Sequence, residues 1–192
     1  MQSLDKSKKL RNIFILILVV MLTIGLSSGF GSAATYQIFP TADASVYSSA
    51  SVANVNFGTD YVILVYIAGS TNNLYAYSYL KFDLSSIPST ENITDVILYV
   101  YCWTTTPTIP TIQLRPVADT TWLETGITWN NKPSYGDLIV STLGTVGWKQ
   151  WGIPVAQLPD TGLVSFMLMT QTAGTSQFYS KEYATATLRP YL

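Results

Sequence analysis

Tyr75-Ala-Tyr-Ser-Tyr-Leu-Lys-Phe-Asp-Leu-Ser-Ser-Ile-Pro88 alternates in side-chain character and then stops at a Ser-Ser-Ile-Pro break. Side chains two apart on a strand point the same way, so Leu80, Phe82 and Leu84 share one face, while Tyr75, Tyr77, Tyr79 and Lys81 share the other. Proline has no N–H to give a ladder and ends the run. The same signature recurs at residues 61–67, 95–103, 111–118, 138–143, 145–152, 164–171 and 177–182, with Gly, Pro, Asn, Asp and Ser in the gaps. No window of helical length after residue 35 holds a 3.6-residue period. Eight or nine short strands in one chain of this length predict a single all-β domain, a jelly-roll-like β-sandwich spanning residues 35–192.

Residues 1–34 read differently. Lys6, Lys8, Lys9 and Arg11 precede an apolar run at residues 13–26, and Ser32-Ala33-Ala34 supplies the small residues that a signal peptidase accepts. This predicts a signal peptide cleaved after Ala34 and a secreted or cell-surface product. An uncleaved anchor is the alternative, although a spanning helix needs about 20 apolar residues.

From Thr35 onward the chain carries six basic and ten acidic residues, a net charge of −4. With no basic patch, a nucleic-acid partner is excluded. Cys102 is the only cysteine, so no internal disulfide staples the fold, and it reads as a buried small hydrophobe. The chain has no histidine, which removes Ser-His-Asp and Cys-His catalysis and the commonest zinc ligand.

A carboxylate pair, which glycoside hydrolysis places about 5–9.5 Å apart, is the chemistry left for catalysis. Glu124 and Glu182 could supply one, but each also reads as a carboxylate held by a backbone N–H, a lysine, or Arg115 or Arg189. The chain is therefore read as no enzyme. No cofactor is implied beyond a structural calcium ion, for which Asp43, Asp83 and Asp119 offer oxygen ligands.

Aromatic residues carry more information. Tyr99, Tyr101 and Trp103 share one face of a strand whose other face is Leu98, Val100 and Cys102. Positions that ordinarily face water thus carry rings here, as in Tyr75, Tyr77 and Tyr79. Were the two strands neighbours, the rings would form one flat patch. Such a patch suits sugar stacking or protein contact, and cross-strand rings also serve a purely structural role. Trp122 and Trp129 read as core anchors, while the pattern assigns no side to Trp148 or Trp151. Asn92-Ile-Thr94 is an N-glycosylation sequon.

Several segments together resemble one family. Thr41-Ala-Asp-Ala-Ser-Val-Tyr-Ser-Ser with Asn56-Phe-Gly, then Tyr79-Leu-Lys-Phe-Asp-Leu-Ser-Ser-Ile-Pro88 and Ile93-Thr-Asp-Val-Ile-Leu-Tyr-Val-Tyr101, are similar to the opening of extracellular DNRLRE-type domains. Val117-Ala-Asp-Thr-Thr-Trp-Leu-Glu-Thr-Gly-Ile-Thr-Trp-Asn-Asn-Lys-Pro133 is the most specific match, and Phe178-Tyr-Ser-Lys-Glu182 and Arg189-Pro-Tyr-Leu192 resemble the closing segment. The resemblance covers residues 41–192. It implies a β-sandwich like carbohydrate-binding module family 96, a group with alginate as a ligand type and relatives among disaggregatase-type surface repeats.

Similar domains continue for several strand residues beyond Arg-Pro-x-Leu. Ending at Leu192 implies a shortened reading frame, a naturally short last strand, or a strand supplied by a partner.

The expected function is a noncatalytic carbohydrate-binding or adhesive module that recognises polysaccharide, including acidic polysaccharide, through an aromatic sheet face. The alternatives are a structural cell-surface or fibre-forming subunit, which self-associates, and a polysaccharide-degrading enzyme resting on Glu124 and Glu182. Membrane contact is expected only through an uncleaved signal segment.

Overall fold

Burial alternates along most of the strands and sorts them into two antiparallel layers that face one another across an apolar core. The computed structural model describes residues 34–68, 74–159 and 161–192. Apart from Ala34, the expected signal segment lies outside the described residues. The strands are β1 (Ala42–Tyr47), β2 (Val62–Ile67), β3 (Tyr75–Asp83), β4 (Ile97–Thr105), β5 (Thr111–Val117), β6 (Val140–Leu143), β7 (Gly147–Gly152), β8 (Leu163–Thr170) and β9 (Gly174–Tyr179). The only helical pieces among the described residues are three short 3-10 turns.

One layer runs β6-β5-β8-β3, with β1 on the free side of β3, and the other runs β2-β9-β4-β7. The pairs β5–β6, β4–β7, β3–β8 and β2–β9 are all antiparallel and nest inside one another. That nesting is a long hairpin folded over into two sheets, as the jelly-roll expectation requires. The expected β-sandwich is therefore the observed fold.

The first core lies between the layers. Ile63, Phe82, Leu98, Trp151, Phe166 and Phe178 meet there, all fully buried, and Cys102 joins them as a free thiol. Burial raises the Cys102 thiol pKa above its ordinary value.

The layers separate at a corner. Strands β2 and β3 pair only at Tyr66–Ala76 and Ile67–Tyr75, after which β2 departs to pair with β9. Backbone groups buried at such a corner need substitute partners. Ser45 of β1 and Ser78 of β3 provide them: the Leu64 N–H donates to Ser45 Oγ at 2.8 Å, and Ser78 Oγ donates to the Leu64 carbonyl at 2.9 Å. The two hydroxyls also lie 3.3 Å apart.

Two elements depart from the sequence pattern. Strand β1 gives no alternation signal, because Ala42–Val46 is small or polar and buried on both faces. Strand β9 ends at Tyr179, three residues short of the expected end, because Ser180 to Glu182 turn towards β1, where the Lys181 N–H donates to Asp43 Oδ2 at 2.7 Å. The closing residues are paired on both sides. Tyr191 exchanges backbone hydrogen bonds with Tyr99, and Leu192 with Ile38.

Replacing Ser78 with alanine leaves the part-buried Leu64 carbonyl without its side-chain donor, and the expected cost is about 1 kcal/mol or more. Chemical denaturation should show a lower midpoint with an unchanged slope. A midpoint equal to wild type would mean the corner does not depend on the serine pair.

Candidate functional site

Strand β4 has one buried and one open face. Leu98, Val100 and Cys102 point into the core, and Tyr99, Tyr101 and Trp103 point out. Strands β7 and β9 flank it and add outward rings of their own, because Trp148 is opposite Tyr101 and Tyr179 follows the inward Phe178. Trp148 is thus the outer tryptophan of its pair, and Trp151 is fully buried.

The rings form one continuous strip. Trp103, Tyr179 and Tyr101 lie parallel within 8°, with centroids 6.2 and 5.6 Å apart. Tyr183 stacks on Tyr179 at 3.5 Å. Trp148 stands edge-on to Tyr101 at 5.4 Å and to Tyr191 at 5.5 Å, and Tyr191 stacks on Tyr99 at 4.7 Å. Phe39 continues the strip 6.5 Å beyond Tyr191. Trp103 and Phe39, at the two ends, are 41% and 47% exposed. The Tyr179 hydroxyl, hydrogen-bonded to Tyr183, has its pKa pushed up to about 12. Beside Trp103 a groove of about 270 Å³ is lined by Tyr47, Asp60, Tyr61, Val62, Leu64 and Gln177.

The other expected rings sit elsewhere. Strands β3 and β4 are not neighbours, since they belong to different layers, so the single patch expected from adjacent strands does not form. The outward face of β3 is covered by residues 118–139 and forms a second core with β1 and β8. Tyr79 is 0% exposed and donates from its hydroxyl to the Pro133 carbonyl at 2.9 Å. Tyr77 is also buried there, and its pKa is raised to about 12, chiefly by burial. Tyr75 stacks on Trp129 with planes 8° apart.

Lys81 Nζ donates to the Thr120 and Trp122 carbonyls and lies 4.5 Å from the Trp122 ring centre. Trp122 donates to Ser165 Oγ at 3.0 Å. The role of Trp122 as an anchor matches its sequence reading.

The covering segment is clamped from the other side. Asn56 Nδ2 donates to the carbonyls of Glu124 and Ile127 at 2.6 and 2.8 Å. Gly58 lies so close that a Cβ there would sit 2.0 Å from the Glu124 carbonyl oxygen, which explains the glycine.

Glu124 and Glu182 meet at this clamp, and Asp43 joins them. One oxygen from each carboxylate lies within 4.8 Å of the other two. Glu124 Oε1 accepts from the Asp43 N–H at 2.8 Å. Lys181 Nζ lies 3.1 Å from Glu124 Oε2 and 2.5 Å from Glu182 Oε1. Burial lowers the Lys181 pKa, but hydrogen bonds to Glu182 and Glu124 outweigh it, and the net shift is upward. Burial first, then the neighbouring glutamates, raise the Asp43 pKa well above the ordinary carboxylate value.

Neither expected arginine holds these acids. Arg115 donates to Gln113 and to the Gly136 carbonyl, and Arg189 to the Tyr183 carbonyl. Asp83 and Asp119 do not converge on Asp43 either. Asp83 accepts from the Ser85 N–H, and Asp119 accepts from the Thr121 N–H and hydroxyl; these bonds lower both pKa values. Asn92 is exposed in the segment before β4.

Sequence reasoning placed Tyr99, Tyr101 and Trp103 but missed Trp148, Tyr179, Tyr183 and Tyr191. The alternation around Phe178 carried a signal for Tyr179. Nothing local signalled Tyr191, which reaches the strip through its backbone pairing with Tyr99.

The fold is a β-sandwich with a half-exposed aromatic strip on one sheet. Residues 34–192 match carbohydrate-binding module family 96, and the chain belongs to that family. A gellan lyase from Bacillus sp is 35% identical over 136 residues. The match covers 65% of this chain and only 5% of the lyase, so it is a module shared with a much longer protein. Among the described residues no helix is long and apolar enough to cross a membrane.

The two aromatic faces should respond differently to truncation. Tyr79→Ala opens a cavity in the second core and should cost about 3–5 kcal/mol, whereas Trp103→Ala at the strip's exposed end should cost about 0.5 kcal/mol. Thermal melting of the two variants checks the contrast. Equal losses would contradict the assignment of one face to the core and the other to the surface.

Proposed function

We propose that this chain is an extracellular, noncatalytic module that binds polysaccharide along the strip Trp103–Tyr179–Tyr101–Trp148–Tyr99–Tyr191. The observation that carries the reading is the continuity of half-exposed rings across three strands of one sheet. Sugars offer apolar C–H faces to rings and hydroxyls to tyrosine rims, which supports such a strip as a face for an extended chain. Membership of a carbohydrate-binding family supports the ligand class. The gellan lyase relative makes gellan the first polymer to try.

The remaining carboxylates support a binding rather than a cleaving role. Glu124 and Glu182 share Lys181 and stand with Asp43 at the clamp between β1 and the covering segment. A structural cell-surface or fibre-forming subunit is the second reading, and the same rings would then be its contact surface.

Affinity electrophoresis in gels cast with gellan, alginate or a neutral glucan tests the proposal. Wild type should be retarded by at least one polymer. The double variant Tyr101→Ala, Trp103→Ala should bind about ten-fold or more weakly, since each ring contact contributes about 0.5–1.5 kcal/mol. Tyr135→Ala, an exposed ring beside the covered face, should bind as wild type does. Unchanged retardation of the double variant would overturn the assigned face. No retardation by any polymer, with oligomers in sedimentation, would favour the structural subunit.

A further inference from the structure

The clamp holds more negative charge than its own partners neutralise. Asp43, Glu124 and Glu182 bring three carboxylates together, and among the described residues Lys181 is the one ammonium in a salt bridge with them. Two oxygens have no hydrogen-bond partner although they are sealed from solvent: Asp43 Oδ1 and Glu182 Oε2. Asp43 is 1% exposed, so its orphaned oxygen is a buried polar atom of the kind that native structures satisfy.

The remaining oxygens are already oriented by the backbone. Asp43 Oδ2 accepts from the Lys181 N–H, and Glu124 Oε1 from the Asp43 N–H. These bonds fix two of the three carboxylates with their second oxygens free or shared only with the lysine. Lys181 sits on a flexible four-carbon stem with its side chain 25% exposed, so the ammonium can leave towards solvent.

We propose that Asp43, Glu124 and Glu182 form a calcium site, with Lys181 as the occupant that the ion displaces. The donor set consists of carboxylate oxygens, which suits a hard cation and not zinc. Asp43 Oδ1, Glu182 Oε1 and Oε2, and Glu124 Oε2 supply up to four oxygens, and water completes the six to eight that calcium takes. The three ligands come from β1, from the covering segment and from the turn after β9, so the ion ties together three segments that lie far apart in sequence. The site uses carboxylates and not the rings of the strip, although Lys181 and Glu182 lie in the turn between Tyr179 and Tyr183, and it does not depend on the polysaccharide reading.

Calorimetric titration of chelator-treated protein with calcium chloride tests the site, with magnesium chloride as the comparison ion. One calcium should bind, with an affinity of about 10⁻⁵–10⁻³ M and more tightly than magnesium. At roughly ten times that concentration the melting temperature should rise by about 3–6 °C. Glu182→Gln lies at the partly exposed rim and is the primary variant, since Asp43 lies inside a strand and its replacement mixes folding with binding. It should weaken calcium binding ten-fold or more while the protein still melts cooperatively. Lys181→Ala should bind calcium more tightly, because the competing ammonium is gone. If wild type shows neither heat nor a melting shift, and Lys181→Ala is less stable with calcium as without it, the ammonium alone balances the cluster and the proposal fails.

Discussion

Strand β3 is buried on both faces, and the organisation of the molecule follows from that constraint. Its seven residues Ala76–Phe82 are all buried, with Leu80 and Phe82 turned to the sandwich core and Tyr77, Tyr79 and Lys81 turned outward. A strand with rings on its outer side must find a cover for them. Residues 118–139 provide it without forming a strand, holding their place by the Tyr79–Pro133 bond, the Lys81 bonds and the Trp122–Ser165 bond. Long irregular segments within a compact domain usually have a definite task, and here the task is to roof a second core.

That roof decides which sheet keeps an exposed aromatic face. The layer β6-β5-β8-β3 spends its outward rings on the second core, while among the described residues the layer β2-β9-β4-β7 has no comparable cover over β4. The rings of β4 therefore remain half-open and gather Trp148, Tyr179, Tyr183 and Tyr191 around them. Ring pairs within the strip stabilise the sheet by themselves, so a face of this kind can be exposed to water without loosening.

The same roof explains the acidic clamp. Glu124 belongs to the covering segment, Asp43 to β1, and Glu182 to the turn after β9. Pinning the segment through Asn56, Gly58 and the Asp43 N–H brings Glu124 against two other carboxylates. The resulting charge density is a consequence of where the cover is anchored. Lys181 offsets part of it, and the orphaned oxygens mark what is left over.

The sequence by itself determined eight of the nine strands, β1 giving no alternation signal, and the two faces of β4. Alternation is local, and Leu98-Tyr-Val-Tyr-Cys-Trp103 reports its two sides directly because only one of them is buried. The interior place of Cys102 was legible for the same reason, and the anchor role of Trp122 from the motif it belongs to. Tertiary structure alone decided the fate of the β3 rings, since alternation distinguishes two faces but cannot say that a distant segment will cover one. It also decided that β3 and β4 belong to different layers, and that Trp151 faces in while Trp148 faces out. The meeting of Asp43 with Glu124, 81 residues away, and with Lys181, 138 residues away, depends on chain closure over distances at which a sequence carries no contact signal.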